Sequence, residues 1–289
     1  MTRILITGAN GQLGSEIKKI AGHFPDFEFF FTDVAELNIT DAKAVDAFLS
    51  EKKPEYLVNC AAYTAVDKAE ADEEKARLLN ATAISILAAE TTKINCRIIH
   101  ISTDYVFDGK TYRPYKEETE TCPQSVYGKT KLEGEQLCLK NNPQNLIIRT
   151  AWLYSAFGNN FVKTMLRLGN ERDELRIVAD QIGSPTNAAD LAHAILTIIS
   201  SVEKGEKTFA PGIYHYTNEG VASWYDFTTA ILDIAGISCN VVPISTEEYP
   251  LPAPRPAYSV LDKSKIKRTF EIEIPYWRAS LINYFRNKK

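Results

Sequence analysis

The sequence predicts an α/β protein built on a doubly wound parallel sheet, followed by a smaller C-terminal lobe. Three observations carry this expectation. Short β-branched runs alternate with longer helical patterns through the first half, a glycine-rich turn joins the first run to the first helix, and the rhythm loosens after about residue 150. Strand and helix in alternation pack as right-handed crossovers, with helices on both faces of one sheet.

The first run, Ile4–Thr7, opens into Thr7-Gly8-Ala9-Asn10-Gly11-Gln12-Leu13-Gly14 and a helical pattern at Gln12–His23. Glycines there permit a tight turn, let a phosphate approach the backbone and allow close helix packing, while the helix N-terminus offers amides and a positive dipole to a pyrophosphate. This is the Rossmann arrangement, and it makes Gly8, Asn10, Gly11, Gln12 and Leu13 candidate dinucleotide contacts. A second run, Phe29–Thr32, ends at Asp33, where a carboxylate can accept from the adenine ribose hydroxyls and repel a 2′-phosphate. Asp41–Glu51 reads as the next helix and Tyr56–Asn59 as the third strand, closed by the small residues Cys60-Ala61-Ala62 and then Tyr63. Small side chains at a strand's carboxyl end leave room for a cofactor, so Ala61, Ala62 and Tyr63 join the candidate set.

Glu73–Lys93 reads as one long helix, Arg97–Ile101 as a strand that leaves Ser102 and Thr103 exposed at the sheet edge, Ser125–Leu139 as a helix and Leu146–Arg149 as a strand. Beyond them lie shorter helices at Asn160–Leu168, Ala188–Ser200 and Trp224–Ala235, and four prolines in the stretch Tyr249–Pro256, which enforce extended backbone. The expected division is a NAD(P)-binding Rossmann unit at residues 1–151 and a mainly substrate-binding lobe at 152–289. Residues at about 188–202 are candidates for returning to the first unit.

A net charge of -4 without a basic run argues against nucleic-acid binding. No uncharged apolar stretch reaches the ~18 residues a membrane span needs. The start runs straight into Ile4-Leu5-Ile6 without a secretory pattern, and the five cysteines are scattered without Cys-x-x-Cys spacing, so a reducing, cytoplasmic setting is expected.

Tyr127 and Lys131 stand four apart on the helix pattern Ser125–Leu139 and so share a face. Two further Tyr-x-x-x-Lys matches lack this context. Tyr112/Lys116 contains Pro114, and Tyr284/Lys288 lies at the C-terminal end. An ammonium beside a phenol is expected to lower its pKa from ~10 towards working pH, and a hydroxyl from the neighbouring strand end would complete a proton-delivering site. Tyr127, Lys131 and Thr103 are the candidate catalytic residues, with Ser102 beside the cofactor.

Taken together, Gly8–Gly14, Asp33, Ser102-Thr103 and Tyr127/Lys131 resemble the extended short-chain dehydrogenase/reductase superfamily. The strings Tyr63–Glu70, Ser102–Phe107, Tyr127–Lys131, Gly158–Phe161, Asp180–Thr186, Trp224-Tyr225-Asp226 and Arg255-Pro256 narrow the resemblance to the dTDP-4-dehydrorhamnose reductase family over nearly the whole length. The resemblance implies hydride transfer from NADPH or NADH to the C4 ketone of dTDP-4-dehydro-L-rhamnose, the last step of dTDP-rhamnose synthesis. In that scheme Tyr127 donates the proton, Lys131 binds the ribose, and Thr103 polarises the C4 oxygen. Asp104, Tyr105, Trp152 and Asn160 bound the sugar, and Arg255 grips the pyrophosphate. For Asn160, helix capping is an equal reading.

Asn38-Ile39 stands where the family often carries Asp-Ile or Asp-Leu near the adenine. Some relatives form homodimers around Mg2+ through acidic residues, and Glu16 and Asp190 stand at suggestive positions, but isolated helical carboxylates are normally solvated and no metal site is assigned. Two rival readings share the glycine turn: a nucleotide-sugar epimerase or dehydratase, which retains its cofactor through the cycle, and a non-catalytic dinucleotide-binding regulatory subunit like that of methionine adenosyltransferase.

Overall fold

The computed structural model describes residues 1–286, so Lys288 of the third Tyr-x-x-x-Lys match lies outside the described residues. Its first half alternates β1 (Thr2–Thr7), α1 (Gln12–Ile20), β2 (Phe27–Thr32), α2 (Ala42–Lys52), β3 (Tyr56–Asn59), α3 (Val66–Ala69), α4 (Glu73–Arg77), α5 (Ala83–Lys93), β4 (Arg97–Thr103), α6 (Val126–Asn141) and β5 (Leu146–Thr150). The second half holds β6 (Leu153–Tyr154), α7 (Phe161–Glu171), β7 (Glu174–Val178), β8 (Ile182–Gly183), β9 (Thr186–Asn187), α8 (Ala188–Glu203), β10 (Gly212–His215), β11 (Ala222–Ser223), α9 (Trp224–Ala235), β12 (Asn240–Ile244), α10 (Ser264–Phe270) and α11 (Trp277–Arg286).

Six strands form one parallel sheet in the order β10-β5-β4-β3-β1-β2. The order reverses between β1 and β3, so the crevice above their carboxyl ends is the natural ligand position of such a sheet. Strand alternation sends Ile4, Ile6, Val58 and Ile148 to one face, against α1 and α8. Leu5, Leu57, Ile98 and Ile147 go to the other, against α2, α5 and α6. The stretch Ala188–Glu203 and the edge strand β10 therefore lie with the main sheet although they follow residue 151 in sequence. A separate core of Val162, Met165, Phe227, Ile231 and Trp277 holds the smaller lobe, with the short pairs β7·β12, β8·β11 and β6·β9.

Three sequence expectations shift. The helix expected over Glu73–Lys93 is interrupted by a π-helical turn at Leu78–Thr82, which lets the buried Asn80 side chain hydrogen-bond outside the helix. The fourth strand runs on to Thr103, because Ser102 and Thr103 continue the pairing with Arg149 and Thr150. Ser102 and Thr103 are consequently buried, only 3% and 4% exposed, where an exposed hydroxyl was expected.

Helix α6 starts at its N-cap Ser125, whose hydroxyl accepts from Gly128 N. Its buried face carries Gly128, Lys131, Gly134, Glu135 and Cys138, one helical stripe that is partly charged. Glycine is required at two of these positions. A Cβ on Gly128 would lie 2.3 Å from Tyr105 O and one on Gly134 2.0 Å from Asn80 O, so both permit backbone to touch backbone. The charge is met from β5, where Arg149 Nε and Nη2 donate to the two Glu135 oxygens at 2.9 and 2.6 Å in a buried fork.

Removing one partner of such a pair strands a buried charge, at a cost of about 3–5 kcal/mol, whereas replacing both with apolar groups is often neutral. Arg149→Met is expected to lose stability on that scale in urea unfolding, with Glu135→Leu added to it recovering most of the loss.

Candidate functional site

The crevice begins at the glycine turn. Gly8 has φ +65°, a left-handed conformation favoured by glycine, and a Cβ there would lie 2.6 Å from Ala61 N. The turn after β1 is thus pressed against Cys60-Ala61 after β3. Gly14 brings α1 close in the same way, since its Cβ would stand 2.5 Å from Gly8 O. Asp33 at the end of β2 accepts from Asn10 N at 3.0 Å, joining the carboxylate to the turn. These residues fit a dinucleotide: close backbone, amides at a helix start and a carboxylate just after the second strand.

Asn38 accepts from Thr40 N and Oγ1 in an exposed turn, while the Ile39 side chain is buried in the apolar layer with Leu5 and Val45. Tyr63 N donates to Asn80 Oδ1 at 2.8 Å, and Asn80 Nδ2 returns to Tyr63 O and to Thr130 Oγ1 on α6. Sequence reasoning missed Asn80. The available signal was an uncapped Asn inside an otherwise regular helical run.

On the other side of the crevice, α6 delivers Tyr127 and Lys131. The Tyr127 ring meets Tyr105 edge-on, centroids 5.4 Å apart. Burial pushes its phenol up to about 12; the Thr103 hydroxyl opposes the shift and the Asp104 carboxylate adds to it. The expected acidification by Lys131 is therefore corrected. Lys131 Nζ donates instead to Ile101 O at 2.6 Å and lies 3.4 Å from His100 Nε2. Its own pKa falls to about 8 through burial, which Glu135 partly offsets.

Thr103 Oγ1 donates to Asp104 Oδ1 at 2.9 Å and accepts from Tyr105 N, so the hydroxyl is oriented within the turn after β4. Burial lifts the Asp104 carboxyl to about 6. Ser102 Oγ and Asp104 Oδ2 are buried without a hydrogen-bond partner among the described residues.

Trp152 follows β5 with φ +49°, a strained conformation for a bulky residue. Its ring stacks on Trp224 at 3.5 Å, and a Cβ on Gly183 would meet it at 2.5 Å. Trp224 Nε1 donates to Gln181 Oε1, fixing the outer ring. Asn160 caps α7 by accepting from Lys163 N, and its amide donates to Ser155 O and Gln12 Oε1. Asn160 thus forms the helix cap that its place in the sequence suggested.

Arg255 leaves the proline-rich stretch to meet Asp67 at 2.7 Å, and Asp67 also accepts from Ala253 N. A cavity of about 280 Å³ lies alongside, lined among others by Tyr105, Lys110, Gln124, Ser125 and Arg255. Glu16 and Asp190 are both engaged within the chain, by Ser155 and by Asn218 and Ser280, and no metal-binding group of three appears among the described residues.

A family model described as RmlD substrate binding domain matches residues 1–289. The chain belongs to the RmlD substrate-binding domain family. Among relatives, it is 44% identical to a dTDP-4-dehydrorhamnose reductase of Aggregatibacter actinomycetemcomitans, over 98% of each chain. A crystal structure of a Clostridium acetobutylicum dTDP-4-dehydrorhamnose reductase matches with a TM-score of 0.93 and 47% identity, covering 99% of both chains. One from Bacillus anthracis, in complex with NADP, matches with a TM-score of 0.93 and 38% identity, covering 99% of this chain and 100% of that one. The RmlD family thus covers the crevice, the smaller lobe and the proline-rich stretch together. No helix among the described residues is long and apolar enough to cross a membrane.

The buried Lys131 carries a stability signature. Its folded pKa of about 8 lies below the ordinary 10.5, so between these values the unfolded chain binds more protons. Stability from this group must then rise with pH across that window. Thermal unfolding should show the parent gaining on Lys131→Met from pH 8 to about 10; a flat difference would mean an ammonium with an ordinary pKa.

Proposed function

We propose that this protein is an NAD(P)H-dependent reductase that converts dTDP-4-dehydro-L-rhamnose to dTDP-L-rhamnose. The observation that carries this reading is the convergence of the Gly8–Gly14 turn, Thr103 and Tyr127 on the carboxyl end of one sheet, in a chain of the RmlD family.

The bound dinucleotide would supply a hydride to the C4 carbonyl carbon. The Gly8–Gly14 turn and Asp33 would hold its pyrophosphate and adenine ribose, with Ala61, Ala62, Tyr63 and Ser102 along its path. Tyr127 donates the proton to the C4 oxygen. Its raised pKa keeps the phenol protonated throughout the working range, and a developing alkoxide is basic enough to take that proton. With substrate bound, the Thr103 hydroxyl would turn its single proton from Asp104 Oδ1 to the same oxygen. Lys131 serves the ribose of the nicotinamide half.

Trp152, Asp104 and Tyr105 bound the sugar. Arg255 has further N–H groups beyond its bonds to Asp67 and Ala253 O, suited to a diphosphate. The main-sheet unit thus carries the cofactor and, through Thr103, Asp104, Tyr105 and Tyr127, one side of the substrate, while Trp152 and Arg255 come from the part that follows it, in a cytoplasmic reaction.

Following NADH and NADPH absorbance with dTDP-4-dehydro-L-rhamnose, and identifying the sugar formed, tests the proposal: one dinucleotide consumed per ketosugar supports it, and cofactor retained through turnover would point to an epimerase. Tyr127→Phe is expected to bind dinucleotide as the parent does but to lose roughly 10²–10⁴-fold in kcat, the usual worth of a positioned acid. Asp33→Ala should reduce any preference for NADH over NADPH, measured as the ratio of kcat/KM values.

A further inference from the structure

Beneath the crevice, a chain of buried polar side chains crosses the sheet on the face that α6 covers. Thr7, Asn59 and His100 are in register on β1, β3 and β4. Each lies two residues beyond an apolar residue of that face, Leu5, Leu57 or Ile98, and therefore points the same way. Thr7 Oγ1 donates to Asn59 Oδ1 at 2.7 Å, Asn59 Nδ2 meets His100 Nδ1 at 2.9 Å, and His100 Nε2 faces Lys131 Nζ at 3.4 Å.

The direction of this chain is fixed by one backbone group. Ala61 N–H can only donate, and it lies 3.2 Å from Asn59 Oδ1. Turning the Asn59 amide over would set its NH2 against that N–H, so Oδ1 stays on the Ala61 side and Nδ2 donates to His100. His100 Nδ1 is then the acceptor and carries no proton. A neutral imidazole must place its proton on Nε2, and burial together with the Lys131 charge keeps the ring neutral. Nε2–H and the ammonium therefore face each other as two donors. Their 3.4 Å separation is a contact without a hydrogen bond.

We infer that His100 is a positioning residue for Lys131: its Nε2–H closes the sheet side of the ammonium to hydrogen bonding and leaves Ile101 O as its protein acceptor. The remaining N–H groups of Lys131 stay available to a ligand hydroxyl. The other charged or titratable groups around Lys131 are consistent with this, because Glu135 is held by the Arg149 fork and Cys138 is a buried thiol with a raised pKa. The inference rests on the reading of Lys131 as the ribose ligand.

Long-range 1H–15N correlation spectra of cofactor-free protein, labelled at histidine, separate protonated from bare ring nitrogens. Nδ1 of His100 should be bare and Nε2 protonated; the opposite pattern overturns the inference. Asn59→Asp replaces the donor with an acceptor, so it should reverse the pattern, turn a lone pair towards Lys131 and weaken NADH and NADPH binding about tenfold by fluorescence titration. A reversed tautomer with unchanged affinity would also overturn it. His100→Phe keeps a ring without nitrogen, and should raise the dinucleotide KM about tenfold while changing kcat less than about threefold. Equal losses in both would mark a purely structural role. If the parent binds neither dinucleotide, the reading of the crevice itself falls, whereas binding by the parent with Nδ1 protonated overturns only the His100 assignment.

Discussion

The Glu135–Arg149 fork determines where α6 can sit, and α6 determines the site. A buried carboxylate on a helix face must find a cation, and the Nε–Nη2 edge of Arg149 makes its two parallel bonds only with a carboxylate lying in the guanidinium plane. That requirement sets both the rotation of α6 and its position along β5. Lys131, one turn before Glu135, is thereby brought over β4, and Tyr127, one turn earlier still, over the turn after it. The glycines at 128 and 134 let the helix come near enough for those bonds to form.

The polar groups beneath α6 form two rows across the sheet. Thr7, Asn59 and His100 make one, and Ser102, Arg149 and His215 the other, in register on β4, β5 and β10. Such groups are costly under a helix unless each is partnered; Thr7, Asn59, His100, Arg149 and His215 each have a bonding partner, while Ser102 Oγ, Arg149 Nη1 and His215 Nε2 have none among the described residues. His215 sits at the far end, its ring bonded to Tyr115 O and its pKa lowered to about 3 by burial and by Arg149. The same layer that stabilises the sheet at its apolar end thus becomes, two residues further along each strand, the polar floor of the crevice.

The alternation of strands and helices was legible from the first half of the sequence because each run has one period and one length. Interruptions were less so. The π-helical turn at Leu78–Thr82 arises from Asn80 bonding to Tyr63 and Thr130, residues distant in sequence, and no local propensity encodes those partners. Asn160 shows the opposite case: an Asn before an apolar helical run signals a cap whatever its neighbours, and a cap is what it forms. Arg255 was marked by its proline-stiffened setting, but its pairing with Asp67 joins residues far apart in the chain.

By itself the sequence determined the residue types and their spacing: a glycine turn between strand and helix, a carboxylate after the second strand, a phenol and an ammonium one helical turn apart. Those depend on local geometry, which repeats along a chain. The tertiary structure alone decided the protonation environment, because a pKa depends on what surrounds the group. Tyr127 is raised rather than lowered since Lys131 is drawn to Ile101 O and burial acts on the phenol, and neither fact exists until α6 is laid across the sheet.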